Sequence, residues 1–422
     1  MEAQYYLCID LKSFFASVEC VERGLDSMKA RLVVADERRG RGAICLAVSP
    51  ALKAMGVRNR CRLFEIPDGI DYVVALPHMR RYMEYSARIY SIYLRYVSAE
   101  DIHVYSIDEC FIDITQYCRL YGKTPREMAK MLTDAVYHET GICATVGIGT
   151  NLFLAKVALD ITAKHAPNHM GYLDEAEFKR TIWYHQPITD IWNVGRGIAK
   201  RLEKLGIYDL YGVAHYDEER LLHEFGVNAE LLIDHAHGVE PCTIADIHAY
   251  RSKTSSISNG QILFEDYTYE QALLILHEMV DVLVLELVDR HLVTDSISLS
   301  VGYSGDRTKS SGGTKKIGEV TNSLKKLDAH FTAYYKACVQ PNVPIRRLTV
   351  GLNNLQDEVF ATYDLFTDPA EEKKEHDLQM TVLDIKKKYG KNAIVKGMSL
   401  EEKATARTRN RLIGGHNGGE ED

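Results

Sequence analysis

The segment Tyr105-Ser106-Ile107-Asp108-Glu109-Cys110-Phe111 sets two adjacent carboxylates between two stretches of strand-forming residues, which constrains the fold strongly. His103 to Ile107 and Cys110 to Ile114 are rich in β-branched and aromatic residues, which predicts two strands of one hairpin with Asp108-Glu109 at its tip. A two-residue hairpin turn normally uses Asn-Gly or Asp-Gly because its central residues need positive φ, and Glu suits that geometry poorly. Local misfits of this kind often mark function. Two carboxylates on a rigid hairpin are hard oxygen ligands in fixed places, as a divalent cation requires; a solvated turn is the alternative.

A further carboxylate shifts the balance. The short apolar run Tyr5 to Ile9 ends in Asp10, and Leu11 to Glu22 follows with helical spacing that brings Phe14, Phe15 and Val18 near one face. The order is strand, carboxylate, helix, and the carboxylate at the strand end points into the crevice where α/β sites gather. If the two strands are neighbours, Asp10, Asp108 and Glu109 form a three-carboxylate cluster. Such a set suits two Mg²⁺ ions about 3.5 to 4 Å apart and in-line phosphoryl transfer.

A chain of 422 residues has room for several domains, and 46% hydrophobic with 26% charged residues is the composition of a soluble globular protein. Met1 to Asp10 shows no charged-then-apolar leader. The most apolar stretch, Leu273 to Val288, is interrupted by Glu278, Asp281 and Glu286, so it reads as an amphipathic core helix rather than a membrane span. The expectation is a cytoplasmic protein without a membrane partner. Nine scattered cysteines with no Cys-x-x-Cys pair suit a reducing compartment and argue against structural zinc. A net charge of −8 does not exclude a nucleic-acid partner, because local placement of Lys and Arg decides. Basic groups cluster at Arg38, Arg39 and Arg41, at Arg58, Arg60 and Arg62, and at Lys315 and Lys316, although any one cluster reads equally as a solvated face.

Along the chain, Arg31 to Ala35 and Ala43 to Val48 read as strands and Pro50 to Met55 as a helix, together a small insert. Lys53, near the end of that helix, could reach a triphosphate. Tyr82 to Tyr96 is helical, the acidic hairpin follows, Arg126 to Glu139 is helical again, and Cys143 to Gly149 is a strand. Without the insert the order is β-α-β-β-α-β, the ferredoxin-like split unit found as the palm of many nucleotide-transfer enzymes. Asn151 then opens a helix from Leu152 to Ala158 that ends near Lys164, a second candidate phosphate contact. Farther on, Ile191 to Leu202 carries a Gly195-Arg196-Gly197 turn framed by apolar residues and resembles a helix-hairpin-helix element. Its glycines permit close backbone approach, and the N–H groups of the following helix can hold a DNA phosphate without reading sequence.

Asp10 to Glu19, Ser106-Ile107-Asp108-Glu109, Gly147 to Lys156 and Val194-Gly195-Arg196-Gly197, in this order, resemble a Y-family translesion DNA polymerase over nearly the whole chain. Ser49-Pro50 before Lys53, and Ile413-Gly414-Gly415-His416, resemble the UmuC-like branch in bacteria. The resemblance implies an α+β multidomain fold. It has a ferredoxin-like palm (1–22 and 78–175) with inserted fingers (23–77), and a helical thumb with the helix-hairpin-helix (176–240). A linker (241–250), an α/β little finger (251–355) and a tail (356–422) follow.

It also implies roles. Asp10, Asp108 and Glu109, with the Leu11 carbonyl, would bind two Mg²⁺ ions and catalyse addition of deoxynucleoside triphosphates to a primer 3′-hydroxyl on primer-template DNA. Phe15 matches the steric gate beneath the sugar, with Phe14 beside it in the substrate-binding set or the core, and Lys53 and Lys164 match triphosphate contacts. Pro50 stands where another branch has Tyr. Gly195, Gly197, Arg251 and Lys253 would contact DNA. Thr362 to Phe366 resembles a sliding-clamp-binding peptide with Leu365 and Phe366 as its anchors, Thr362 replacing the family's Gln; accessory SOS proteins are further implied partners. A nucleotide cyclase with a similar palm, or a catalytically inactive DNA- or clamp-binding factor, are the competing readings.

Overall fold

The computed structural model describes residues 4–252, 255–305, 308–362 and 368–419. It divides into two compact units, one up to Tyr250 and one from Arg251 onward.

In the first unit β1 (Tyr6–Leu11) leads into α1 (Phe14–Glu22). Leu11 therefore closes the strand instead of opening the helix as expected. Lys12 and Ser13 make the corner between them, with Ser13 at φ 47°. The insert follows: β2 (Leu32–Val34), β3 (Ala47–Val48), α2 (Pro50–Ala54) and β4 (Val73–Ala75) form a sheet of order β3-β2-β4 over its own core of Val33, Cys45, Leu52 and Leu63. The chain returns through α3 (Met79–Tyr93), β5 (Ile102–Val104), β6 (Glu109–Asp113), α4 (Thr115–Leu120), α5 (Pro125–Thr140) and β7 (Ala144–Gly149). After β7 come α6 (Leu152–Val157), a π-helical turn (Ala158–Thr162), a 3-10 turn (Ala163–His165) and β8 (Met170–Leu173).

The large sheet has the order β5-β6-β1-β7-β8, and β1 lies antiparallel to both β6 and β7. Both faces of β1 are covered. Leu7, Ile9 and Leu11 pack with α1, α3 and α5, while Tyr6 and Cys8 pack on the other side with Phe111, Leu152, Ala155 and Leu159. Alternation along a strand puts Asp10 on the face of Tyr6 and Cys8, at the point where that cover ends.

Three glycines let the second layer come close. A Cβ at Gly147 would lie 2.0 Å from the Ala155 carbonyl oxygen, one at Gly149 would lie 2.1 Å from Ala155 N, and one at Gly171 would lie 2.5 Å from the Ala158 carbonyl oxygen.

The helices α7 (Glu175–Thr181), α8 (Arg196–Lys204), α9 (Leu210–Ala214), α10 (Glu218–Phe225) and α11 (Asn228–His237) share a core that includes Phe178, Leu202, Leu210 and Leu221. The stretch 241–250, expected as a linker, contains α12 (Ile244–Ala249), opened by a Thr243/Asp246 capping box. Ile244 is buried beside Tyr6 and Phe111, so apolar anchoring holds the stretch to the first unit.

The second unit runs β9 (Ser256–Tyr267), α13 (Tyr269–Asp289), β10 (Leu292–Tyr303), β11 (Ser311–Thr321), α14 (Leu324–Cys338) and β12 (Ile345–Asn353), with sheet order β11-β10-β12-β9. Short β13 (Gln356–Asp357) pairs with β10. The expected Leu273 to Val288 core helix is the body of α13, whose apolar side chains pack with α14 on one sheet face. The opposite face carries small residues in register: Ser298 opposite Thr314 and Gly351, with Ser258 beyond, and Ser300 opposite Gly312 and Thr349, with Gly260 beyond.

The described residues beyond 355, expected as a tail, are folded too. In α15 (Pro369–Tyr389), Glu375 Oε2 accepts from the Ser323 hydroxyl at 2.8 Å and Oε1 from Lys325 N at 3.0 Å, capping α14. Buried Glu278 of α13 accepts from Thr405 N at 2.9 Å and Ala406 N at 3.0 Å, which caps α16 (Ala406–Asn410). Gly414 and Gly415, both at positive φ, turn β14 (Leu412–Ile413) back onto β15 (His416–Asn417).

Candidate active site

Asp10 and Glu109 are direct cross-strand partners at the adjoining ends of β1 and β6. The hairpin before Glu109 differs from its expected form. Val104 pairs with Cys110, and the Tyr105 and Ser106 N–H groups both donate to the Glu109 carbonyl at 3.0 Å. The tip is therefore Tyr105 to Asp108, while Glu109 is already a strand residue. Neither acid has positive φ. A longer loop closes the turn, so the φ demand of a two-residue turn never arises. Asp108 is held at its base: its carbonyl accepts from Leu11 N at 2.9 Å and its Oδ1 from the Ser106 hydroxyl at 2.8 Å.

The three carboxylates share one corner, but each has its own partner. Lys156 on α6 pairs with Glu109 at 2.7 Å and with Asp160 at 3.1 Å. Lys164 pairs with Asp160 at 2.8 Å and with Asp10 at 3.4 Å. Cys8 Sγ also donates to Glu109 Oε1, at 3.1 Å. Among the described residues, no three His, Cys, Asp or Glu side chains stand close enough together to hold a metal as a ready-made set. Asp10 and Glu109 are linked through Lys164, Asp160 and Lys156, while Asp108 pairs with Ser106 instead of a lysine. Burial pushes the Asp10 carboxyl up to about 6; Lys164 pulls it down, while Asp108 and Glu109 push it up. Burial also pushes the Cys8 thiol up, and the adjacent Glu109 carboxylate reinforces this.

The ladder Lys156, Asp160, Lys164 was legible as an i, i+4, i+8 series, yet only Lys164 drew attention as a site residue. Its placement depends on Gly147, Gly149 and Gly171, because side chains there would hold the helical layer off the sheet. Lys12 was missed as well. It contacts His169 Nδ1 at 3.2 Å, and burial lowers its affinity for a proton despite the nearby Asp10 carboxylate. Burial likewise pushes Lys53 down, opposed by Asp10 and reinforced by Lys164 and Lys12. These cations therefore share one electrostatic neighbourhood around Asp10.

Of the two adjacent aromatics, Phe14 is 2% exposed and belongs to the core. Its side chain is taken up by core packing. Phe15 is half-buried and stacks on Tyr82 with ring centroids 4.5 Å apart at 14°.

The helix-hairpin-helix candidate consists of a 3-10 turn (Ile188–Asp190), a corner with Asn193 at φ 68°, and α8. Gly195 is the N-cap of α8 and Gly197 lies inside its first turn, so the expected Gly-x-Gly turn is instead a helix start. A Cβ at either glycine would meet nothing within 4 Å. Trp192 Nε1 donates to the Tyr105 hydroxyl at 3.1 Å, which ties this corner to the acidic hairpin. Arg251 is exposed at the start of the second unit. Lys253, Leu365 and Phe366 lie outside the described residues.

Two family models match the chain: the impB/mucB/samB family over residues 9–160, and the C-terminal domain of that family over residues 254–365. The chain is 32% identical to DNA polymerase IV 2 of Halalkalibacterium halodurans across 97% of this chain and 98% of that protein. It is 30% identical to UvrX of Bacillus subtilis (strain 168), a protein named for UV-damage repair, across 97% of each. The chain belongs to the impB/mucB/samB family. A Y-family DNA polymerase chimera of Dbh and Dpo4 shares the fold, with a TM-score of 0.63 at 20% identity over 84% of this chain and 99% of that one. This Y-family translesion DNA polymerase thus has the α+β multidomain architecture expected of it. The cyclase and inactive-factor readings give way to DNA-directed DNA polymerase activity. No helix among its described residues is long and apolar enough to cross a membrane.

Proposed function

We propose that this polymerase joins deoxynucleotides to a primer 3′-hydroxyl at the corner formed by Asp10, Asp108 and Glu109, on primer-template DNA. The observation that carries the reading is the cross-strand placement of Asp10 against Glu109, with Asp108 held by Leu11 and Ser106. The donor set fits divalent ions. It is made of hard carboxylate oxygens, and Asp10, whose proton affinity is raised chiefly by burial and further by Asp108 and Glu109 against the pull of Lys164, sits where a cation would favour its ionised form. Asp10, Asp108, Glu109 and the Leu11 carbonyl are the groups to hold two Mg²⁺ ions. Such ions supply activation of the attacking hydroxyl and neutralisation of charge on the triphosphate.

The chain's own groups do the remaining work. Lys156 and Lys164 hold the acids in place, and Lys164, Lys53 and Lys12 present cations to the triphosphate. Phe15 stands under the sugar and excludes a 2′-hydroxyl. The open approach to Gly195 and Gly197 leaves the N–H groups at the start of α8 accessible to a DNA phosphate. The Ser, Thr and Gly face of the second sheet, with Arg251 and Lys253 at the entrance to that unit, suits backbone contact without base reading. In this reading residues 1–22 and 78–175 are the palm, 23–77 the fingers, 176–240 the thumb and 251–355 the little finger. Leu365 and Phe366 bind a sliding clamp, SOS proteins assist, and the setting is the cytoplasm.

Primer extension past defined damaged bases, with Mg²⁺ present and clamp added or omitted, tests this reading. Asp108→Ala with Glu109→Ala should abolish extension and keep DNA binding. Extension at the wild-type rate by that variant refutes the site.

A further inference from the structure

The ring proposed to sit beneath the sugar is supported from behind by a buried hydrogen-bond network. Phe15 stacks on Tyr82, a side chain with no solvent exposure in the core between α1 and α3. The Tyr82 hydroxyl donates to Glu19 Oε1 at 2.6 Å. Glu19 lies one turn after Phe15 on α1 and is also fully buried. The same Oε1 meets His78 Nδ1 at 2.8 Å, and Arg23 pairs with Oε2 while donating to the Glu19 carbonyl at 2.8 Å. Burial pushes the Glu19 carboxyl up, but hydrogen bonds from Tyr82, His78 and Arg23 outweigh it and hold the group below its ordinary range. A second pair of contacts, Tyr85 to Glu22 at 2.7 Å and Arg81 to Glu22 at 2.8 Å, ties α1 to α3 one turn farther on.

A residue that discriminates by steric clash is only as selective as it is stiff. A ring that can retreat by part of an ångström admits the extra oxygen. Phe15 is half-buried, and its stacking partner Tyr82 can slide only if its hydroxyl leaves Glu19. Leaving means stranding a buried hydroxyl and a buried carboxylate oxygen. We infer that Glu19 and Tyr82 are positioning residues for sugar selection: Glu19 holds Tyr82, Tyr82 holds Phe15, and the chain of contacts sets how firmly the 2′-hydroxyl is refused. This rests on the reading of Phe15 as the residue under the sugar.

The test compares kcat/KM for dCTP and CTP opposite a template G, using the full chain and primer-template DNA. Phe15→Ala establishes the gate itself and should collapse the dCTP/CTP ratio. Tyr82→Phe keeps the stacking ring, removes only the hydroxyl, and leaves Glu19 its other donors. It should lower the ratio about fivefold, roughly what one lost buried hydrogen bond allows, through a lower KM for CTP. Glu19→Gln, which retains an acceptor for Tyr82, should keep more of the ratio than Glu19→Ala. If Glu19→Ala does not fold, the Tyr82→Phe measurement still decides.

A collapsed ratio in Phe15→Ala with a wild-type ratio in Tyr82→Phe overturns the inference and leaves the gate standing. A wild-type ratio in Phe15→Ala overturns the gate reading and the inference with it. Equal losses for both nucleotides in Tyr82→Phe, with a lower Tm, mean a purely structural role and also overturn it.

Discussion

Gly147→Ala asks whether close packing of the lysine-bearing layer is what brings Lys156 and Lys164 to the carboxylates. A Cβ at Gly147 would stand 2.0 Å from the Ala155 carbonyl oxygen, 2.2 Å from Leu159 N and 2.8 Å from Leu159 Cα, all of them backbone atoms. Ordinary contact begins near 3.4 Å, so the layer must retreat by about 1.4 Å. No rotamer change can absorb the clash. Phe153, Leu154 and Leu159 on that layer have no solvent exposure, so retreat also loosens the core beneath it.

Overpacking typically costs about 1–3 kcal/mol, and a backbone clash belongs at the upper end. At about 2–4 °C per kcal/mol for a unit of this size, Tm should fall by about 6–12 °C. The same retreat stretches the Lys156 to Glu109 pair from 2.7 Å to about 4 Å. A misplacement of that order at reacting groups can lower the rate about 100-fold. Thermal unfolding by circular dichroism, with primer-extension kcat/KM measured well below the lower Tm, separates the two effects. Wild-type Tm and rate refute the packing argument. A lowered Tm with an unchanged kcat/KM preserves the packing argument and refutes the claim that it serves the lysines.

The Asp10 carboxyl is raised from 3.8 to about 6, so ionising it opposes folding; its favourable contribution is full below about pH 4 and lost as pH rises through about 6. Without divalent ions, Asp10→Asn should therefore raise Tm at pH 7.5 and leave it unchanged at pH 4, and with Mg²⁺ restored the variant should lose primer extension; equal Tm values at pH 7.5 contradict this. Gly195→Ala and Gly197→Ala introduce a Cβ into open space, so Tm should hold while DNA affinity falls several-fold; fluorescence anisotropy showing wild-type affinity excludes the phosphate role. Glu278→Ala strands the Thr405 and Ala406 donors and should cost the second unit about 2–3 kcal/mol. Hydrogen exchange across Thr405 to Asn410 should quicken, and unchanged protection rules out the capping role.

The order of strands and helices was readable from periodicity, because buried apolar faces recur at the period of each element. Asp10 and the Asp108-Glu109 pair were readable because a carboxylate interrupts an apolar run. The true start of β6 at Glu109 was not. It depends on how many residues the loop uses, which the composition of Tyr105 to Asp108 does not specify. The lysine ladder was present as spacing, but its role needed the sheet face it crosses, and that in turn needed the glycines of β7 and β8. The helix α12 was hidden for another reason: Ile244 is one apolar residue in a polar stretch, and its partners Tyr6 and Phe111 are more than a hundred residues away.

Both units contain a β-α-β-β-α-β string, the first once its insert is set aside, yet they offer ligands different surfaces. In the first, the order β5-β6-β1-β7 makes the opening strand central, and the glycine-permitted layer covers the second face of the sheet. With both faces filled, strand ends are the places left for chemistry, and the end of β1 lies between β6 and β7, strands that are themselves internal to the sheet. Asp10 therefore meets Glu109 and the lysines, whereas an acid at the end of an edge strand would face solvent on one side. In the second unit, the order β11-β10-β12-β9 sends the opening strand to the edge, and α13 and α14 pack on one face. The other face stays open, and Ser298, Ser300, Thr349 and Gly351 keep it low and polar. A covered sheet gathers charge at a point and suits catalysis; an open one spreads donors over an area and suits a long polyanion. The difference lies in strand order and glycine placement, which a shared element string does not record.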